Sequence, residues 1–341
     1  MKLNMITNIN IKNYKTVVGA SLPLGRFNLL IGANGCGKTN ILEAIALAAA
    51  ASSDKLDYEY FANRGIRVVA PQLMLPAFDD MNADTITVAI TNEKRVVYDI
   101  CYNKGAKPAR WESKETILRE ADSTISQFLI YSLEESKLRN ADNSNRTFPM
   151  GLHGEGLFAY LKDLAQRPEG VEIFNEIKEN LRILDWFDDM QVPSGQLSME
   201  FNLKLRDSYL SEMLNTFDQR STNEGFLYLL FFLTLVISDE TPRFFAIENI
   251  DTAFNPKLCR EVIRRLIELA RKHDKQVIAT THNAAVLDGM DINEDDVRLH
   301  VVRRNIDGYT MTNRVLLKEN MTMSLSEAWL KGIIGGLPDN F

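Results

Sequence analysis

The stretch Gly32-Ala33-Asn34-Gly35-Cys36-Gly37-Lys38-Thr39 fits the spacing G-x-x-x-x-G-K-[ST] at every fixed position. Each fixed residue type answers a demand of phosphate chemistry. Glycines let backbone N–H groups come close to phosphate oxygens, the Lys38 ammonium reaches the β- and γ-phosphates, and the Thr39 hydroxyl is a ligand for Mg²⁺. Asn34, Gly35, Cys36, Gly37, Lys38, Thr39 and Asn40 are therefore expected to hold a nucleoside triphosphate. The anion would rest on the N-terminus of a helix that starts near Lys38. Mg²⁺-dependent phosphoryl chemistry also calls for an acid at the end of a buried strand beside the loop. The apolar run Phe244-Phe245-Ala246-Ile247 ends in Glu248, so Thr39 and Glu248 are the expected metal ligands.

Other elements must position these groups. The run Phe27-Asn28-Leu29-Leu30-Ile31 reads as the strand that enters the loop, and Ile41, Leu42 and Ile45 give the following helix a buried stripe. Residues 5–12 alternate, and two β-rich runs at 85–91 and 95–102 flank Asn92-Glu93-Lys94 as a hairpin, which predicts an antiparallel sheet beside the site. From about 115 to 190 the pattern is helical, broken by a polar loop at 140–146. Leu197, Met199, Phe201, Leu203 and Leu205 then alternate as a half-buried strand. Runs at 244–247 and 276–280 read as buried parallel strands, with a crossover helix at 256–272. The tail predicts a hairpin at 305–308 and a helix opened by the capping box Ser324-Leu325-Ser326-Glu327. Its stripe of Leu325, Trp329, Leu330 and Ile333 must be covered by the head or by a partner.

Composition narrows the class. With 45% hydrophobic and 25% charged residues the chain reads as an ordinary globular protein. A net charge of −7 argues against a surface that is all nucleic-acid footprint, while leaving a local basic patch open. Lys257, Arg260, Arg264, Arg265, Arg271 and Lys272 on one helix are either a solvated face or such a patch. Cys36, Cys101 and Cys259 have neither metal spacing nor a paired pattern, which reads as a reduced, cytoplasmic protein. Cys36 sits where a helix terminus favours a thiolate, although any small residue fits there. The opening residues lack a signal-peptide core, and the apolar run at 226–237 is shorter than the ~20 residues that span a bilayer. No membrane partner is expected.

At this point the order of motifs resembles the ABC-type ATPase heads of RecF, SMC proteins and the overcoming-lysogenization-defect (OLD) family. The resemblance rests on Ile9-Asn10-Ile11-Lys12-Asn13-Tyr14-Lys15, on the loop and helix from Asn34 to Ile45, on Glu248 and the residues after it, and on Thr280-Thr281-His282-Asn283. Residues 151–157 resemble a segment that follows the helical insertion in such heads, and equally read as a loop and helix start. The implied fold class is α/β: an ABC-ATPase-like P-loop NTPase head with a flanking antiparallel β subdomain and an inserted helical lobe. Residues 1–110 and 235–341 would form the ATPase core, and 111–234 the insertion.

The resemblance also implies roles. His282 matches a switch histidine, Asp251 falls in a loop that crosses a dimer interface, and Asn223, Glu224 and Gly225 lie in a segment similar to the signature that contacts the γ-phosphate held by a partner head. Where the family commonly has two successive acids, this chain has Glu248-Asn249. An amide cannot take a proton as a carboxylate does, so slow hydrolysis is expected unless Asp251 or His282 substitutes. Asn223 stands where a serine is usual, with Ser221 nearby, and Gln72 is a candidate for a lid glutamine. The expectation is a homodimer through an ATP sandwich with ATP and Mg²⁺ as cofactors, acting as a switch in anti-phage defence or nucleic-acid surveillance. OLD proteins carry a nuclease domain after the ATPase, whereas this sequence ends fewer than 60 residues after His282. A separate effector such as a nuclease or toxin is thus the expected partner. One rival is a RecF-like repair or chromosome-maintenance ATPase that binds DNA itself, and another is a non-hydrolysing, ATP-bound scaffold.

Overall fold

Alternating apolar residues near the N-terminus build an antiparallel sheet with one buried face. A computed structural model describes residues 5–79, 81–93, 95–117, 125–140, 149–192, 203–213, 216–316 and 323–337. The chain divides into two units, the first comprising Met1–Ile130, Pro242–Thr252 and Asp274–Phe341, the second Tyr131–Thr241 and Ala253–His273. In the first unit the antiparallel sheet has the order Val17–Pro23, Asn8–Tyr14, Thr85–Thr91, Arg95–Asn103, Arg110–Ile117. Ile11 faces Val88, Val88 faces Tyr98 and Ile86 faces Ile100, so the period-two pattern lands on one buried surface. The predicted hairpin closes with Thr91 opposite Arg95, and Lys94 lies outside the described residues. The helical pattern expected from 115 starts too early, because residues 115–117 complete the last strand against Val96–Tyr98 partners.

The second sheet of this unit is mostly parallel, in the order Thr310–Arg314, Val297–Arg304, Phe27–Ile31, Gln276–Thr280, Phe244–Ile247. Every residue of its last three strands is buried, as parallel strands covered on both faces require. Two buried amide side chains of these strands are satisfied. Asn28 accepts from Gly25 N and donates to Gly25 O and Val277 O, while Gln276 bonds both backbone groups of Ile6. The helix Lys38–Ser52 packs between the two sheets, and Ala44, Ala46, Ala48, Ala49 and Ala50 are fully buried with Ile41, Leu42 and Ile45. Its buried surface is wider than the predicted stripe, since alanines let backbone approach backbone on several sides.

At the tail, the hairpin forms as predicted, with Arg304 opposite Thr310 and Gly308 at φ 83°. The terminal helix is only Leu325–Leu330, capped by Ser324 and tied down where Ser326 bonds Asp288. Leu325, Ala328 and Trp329 are buried, but Leu330 and Ile333 are exposed, because the helix stops before Gly332 takes up a left-handed turn at φ 72°. The predicted stripe is therefore split.

In the second unit the helices Leu157–Gln166, Gly170–Leu181, Glu224–Ile237 and Pro256–Lys272 pack in succession. Residues 226–237 are buried all round, and among the described residues no helix is long and apolar enough to cross a membrane. The helical pattern expected to 190 ends at Leu181, because Phe187–Gln191 joins Lys204–Asp207 and Thr216–Asp218 in a small antiparallel sheet. Its aromatic side closes on Phe226, with Trp186 and Phe187 centroids 5.5 and 5.8 Å away. Leu203 and Leu205 are buried as predicted, whereas Leu197, Met199, Phe201 and positions 141–146 of the polar loop lie outside the described residues. Gly156, at φ 79°, caps the helix Leu157–Gln166, so 151–157 is a loop and helix start.

Candidate functional site

Two glycines give the phosphate loop its shape. Gly32 has φ 151° and Gly37 has φ 110°, and a Cβ on either would stand 2.1 Å from Val302 O or Thr310 Oγ1 respectively. Gly37 is the N-cap of Lys38–Ser52 and offers no side-chain cap, so the first-turn amides of a long helix stay available to an anion. The loop is held from outside. Thr310 Oγ1 donates to Cys36 O at 2.9 Å and meets Thr16 Oγ1 at 2.7 Å, Asn40 Nδ2 donates to that Thr16 hydroxyl, and Arg304 Nε donates to Gly35 O at 3.0 Å. Lys38 Nζ donates to Gly32 O at 2.7 Å and Ala33 O at 3.1 Å and lies 3.8 Å from the buried Cys36 Sγ. Burial pushes the Lys38 ammonium below its usual pKa, while Cys36 and Glu248 pull the other way.

The strand Gln276–Thr280 lies between Phe27–Ile31 and Phe244–Ile247, yet the acid still reaches the loop. Thr39 Oγ1 donates to Glu248 Oε1 at 2.5 Å. A cavity of about 390 Å³ gathers residues 34–40 with Glu248, Asn249 and His282, as the sequence predicts. Burial, with Lys38 nearby, lowers the His282 pKa, and Asp251 opposes the shift. Asp251 itself does not line the cavity. Its Oδ1 accepts from Thr281 Oγ1 at 2.6 Å, which anchors the loop that carries His282. Asn249 has φ 49°, a left-handed conformation that Asn tolerates better than most residues. Gln72 is exposed in the short helix Pro71–Met74 and is not among the lining residues.

Sequence reasoning missed two guanidinium groups that line the cavity, Arg67 and Arg304. Arg67 is aimed by Glu43, a fully buried carboxylate on the loop helix, which accepts from Arg67 Nε at 2.7 Å and from Lys15 Nζ at 2.5 Å. Arg67 also donates to Asn40 Oδ1 at 3.1 Å. The available signal was Glu43, since a charge amid Ile41, Leu42, Ala44 and Ile45 needs buried partners.

Asn223, Glu224 and Gly225 belong to the second unit. Asn223 is the N-cap of Glu224–Ile237, its Oδ1 accepting from Phe226 N at 2.8 Å, so it does a serine's capping work. A Cβ on Gly225 would meet Ala253 O at 3.0 Å. The preceding turn is held by Arg139, whose NH1 donates to Gln219 O, Arg220 O and Thr222 O at 3.3, 2.9 and 2.9 Å while Nε binds Glu135 at 2.8 Å. Arg264 and Arg265 on Pro256–Lys272 are engaged by Glu261 and Glu268, and Lys272 by Glu176, which fits a solvated face better than a free basic patch.

A loop-bound helix between two sheets, a Thr–Glu oxygen pair and a lysine over the loop define a P-loop NTPase head of the ABC type. Residues 27–288 match the family described as AAA domain, putative AbiEii toxin, Type IV TA system, and the chain belongs to that family. Solved structures show the same fold. An SMC head bound to the C-terminal winged-helix domain of ScpA has a TM-score of 0.63 at 15% identity, covering 93% of this chain and 99% of that one. The SMC head domain from Thermotoga maritima has 0.54 at 14%, covering 92% and 99%. An SMC head with an extended coiled coil, bound to the C-terminal domain of ScpA derived from Pyrococcus furiosus, has 0.59 at 13%, covering 96% and 99%. A comparison with curated proteins finds no match.

Proposed function

We propose that this chain binds ATP with Mg²⁺, dimerises around it and hydrolyses it slowly, as a switch that controls a separate effector in anti-phage defence or nucleic-acid surveillance. The observation that carries the reading is the Thr39–Glu248 contact at 2.5 Å within the cavity that also holds Lys38 and His282. Both are oxygen donors, the hard type that suits Mg²⁺, which is usually bound by few protein ligands plus substrate phosphates. Mg²⁺, when bound, would draw negative charge off the terminal phosphate. Lys38 would move from its carbonyl partners onto phosphate oxygens, and Arg67 and Arg304 would add charge at the rim. In this reading 1–110 with 235–341 supply the nucleotide-binding core and 111–234 the signature, which contacts the partner's nucleotide.

Two facts about similar proteins favour a partnered role. The family description names a toxin and a Type IV TA system, and two of the similar SMC heads were solved with a ScpA domain. Asn249 at the cavity also favours a second reading, the ATP-bound scaffold that does not turn over. Light scattering with and without ATP tests the main proposal. Mass should double with ATP, and Lys38→Ala, which removes a charge-assisted phosphate contact worth about 1.5–3 kcal/mol, should weaken ATP binding roughly tenfold to a hundredfold and abolish the doubling. Unchanged mass in the wild-type protein with ATP bound counts against the sandwich.

A further inference from the structure

Beside the nucleotide cavity lies a larger open groove of about 1230 Å³. Its walls are the ends of Val297–Arg304 and Thr310–Arg314, the tail residues 330–337 and, on one side, residues 33–36 of the phosphate loop. The tail wall is fixed: Gly336, at φ 88°, sits so close on the strand that a Cβ there would be 2.9 Å from Val301 Cγ1.

The lining has two properties that rarely occur together on a surface left to water. Leu316, Leu330 and Ile333 are 70, 67 and 54% exposed, which gathers large apolar side chains around one concavity. Among the described residues, Arg303, Arg304 and Arg314 line the same groove and no carboxylate does. Arg303 and Arg314 form no ion pair with any described residue, in a chain whose net charge is −7. Guanidinium groups without acids seek carboxylates or phosphates, and apolar walls seek apolar side chains. A bare phosphate backbone would leave the leucines wet, and a purely apolar segment would bury the arginines unpaired.

We propose that the groove docks a segment of a partner protein in which acidic residues alternate with apolar ones. The inference rests on the effector reading above and gives the chemistry of that effector's docking segment. Arg304 connects the two sites, because it lines both the groove and the nucleotide cavity and its Nε holds Gly35 O at 3.0 Å. A carboxylate that draws Arg304 toward the groove therefore releases one anchor of the phosphate loop.

The test is fluorescence anisotropy of a labelled short peptide alternating Leu and Asp, titrated with the full chain in the absence of nucleotide. A Leu–Lys peptide and a single-stranded oligonucleotide of similar length are the comparison probes. The Leu–Asp peptide should bind and the others should not. Arg303→Glu with Arg314→Glu, and separately Ile333→Asp, should each weaken binding about tenfold or more, because reversed charge or a buried carboxylate opposes docking. ATP affinity should stay unchanged in both, since none of these residues lines the nucleotide cavity. Equal binding of both peptides, binding of the oligonucleotide instead, or a Leu–Asp affinity untouched by the substitutions overturns the proposal. With nucleotide absent, such a failure leaves the ATP reading standing, while loss of the ATP-driven mass change leaves the groove standing.

Discussion

Two helices of this protein open on segments that the proposed function assigns to phosphate, and they are held in opposite ways. The loop before Lys38–Ser52 has an uncapped N-terminus and is fixed by side chains from distant segments, through Thr16, Arg304 and Thr310. The turn before Glu224–Ile237 is capped by its own Asn223, folded on its own Asp218, and braced from outside by Arg139 of a helix of five residues. The first region has its loop backbone held by side chains of the same unit, so that part of its binding geometry costs little to organise. The second is held by bonds within its own turn and by one guanidinium from outside it, as the half-site of the proposed dimer would need.

Acid should break the first region alone. His300 is fully buried in the strand beside Phe27–Ile31, paired with Leu30, and burial pushes its pKa down to about 4, with Arg314 and Arg298 adding to the shift and the backbone of Pro23 opposing it. The unfolded chain takes up this proton near 6.5, so the contribution is complete above that pH and is lost as pH falls toward 4. The loss amounts to about 3 kcal/mol. Hydrogen exchange should show residues 27–31 losing protection across this window while 224–237 keep theirs, and His300→Leu should flatten the dependence. Coincident loss in both regions means the contrast does not extend to stability.

Arg139→Ala should break the second region alone. Three backbone carbonyls lose a charged donor, whose hydrogen bonds are worth about 1.5–3 kcal/mol in total effect, so ATP-driven association should weaken roughly tenfold to a hundredfold. Nucleotide affinity of the monomer should not move. Arg139→Lys should rescue little, because one ammonium cannot bridge the carbonyls and Glu135 together. A full rescue, or an equal loss of monomer affinity, would show that the residue only maintains the fold.

What was legible in the sequence divides along the same line. Residues 32–39 and Glu248 were readable because their spacing and their place at strand ends are local. Arg67, Glu43 and Arg304 were not, because they meet only when segments far apart in sequence fold together. Residues 115–117 and 187–191 read as helix since short strands at the edge of a helical run carry too few residues to show their own period. The tail stripe covers the head only through Leu325 and Trp329, because a glycine stop turns Leu330 and Ile333 away, which leaves the partner half of the expectation to the groove.

The smallest expected effect sharpens the comparison most, because it asks whether the finished site is also a competent one. Asn249 is held at φ 49° by its neighbours: its N–H donates to Thr280 Oγ1 at 3.0 Å, and Thr252 Oγ1 donates to its carbonyl at 2.8 Å. A glutamate there inherits the left-handed backbone at a cost of about 1–2 kcal/mol, roughly tenfold in rate if the strain is felt in the transition state. A positioned general base contributes about 10²- to 10⁴-fold. Asn249→Glu should therefore still raise ATP turnover about tenfold or more, measured by phosphate release. Asn249→Gln carries the same strain without a base and should not exceed wild type. If Asn249→Glu changes nothing while wild type already turns over briskly, the water is activated elsewhere. Asp251 is committed to Thr281, which leaves His282 as the residue to replace by alanine first.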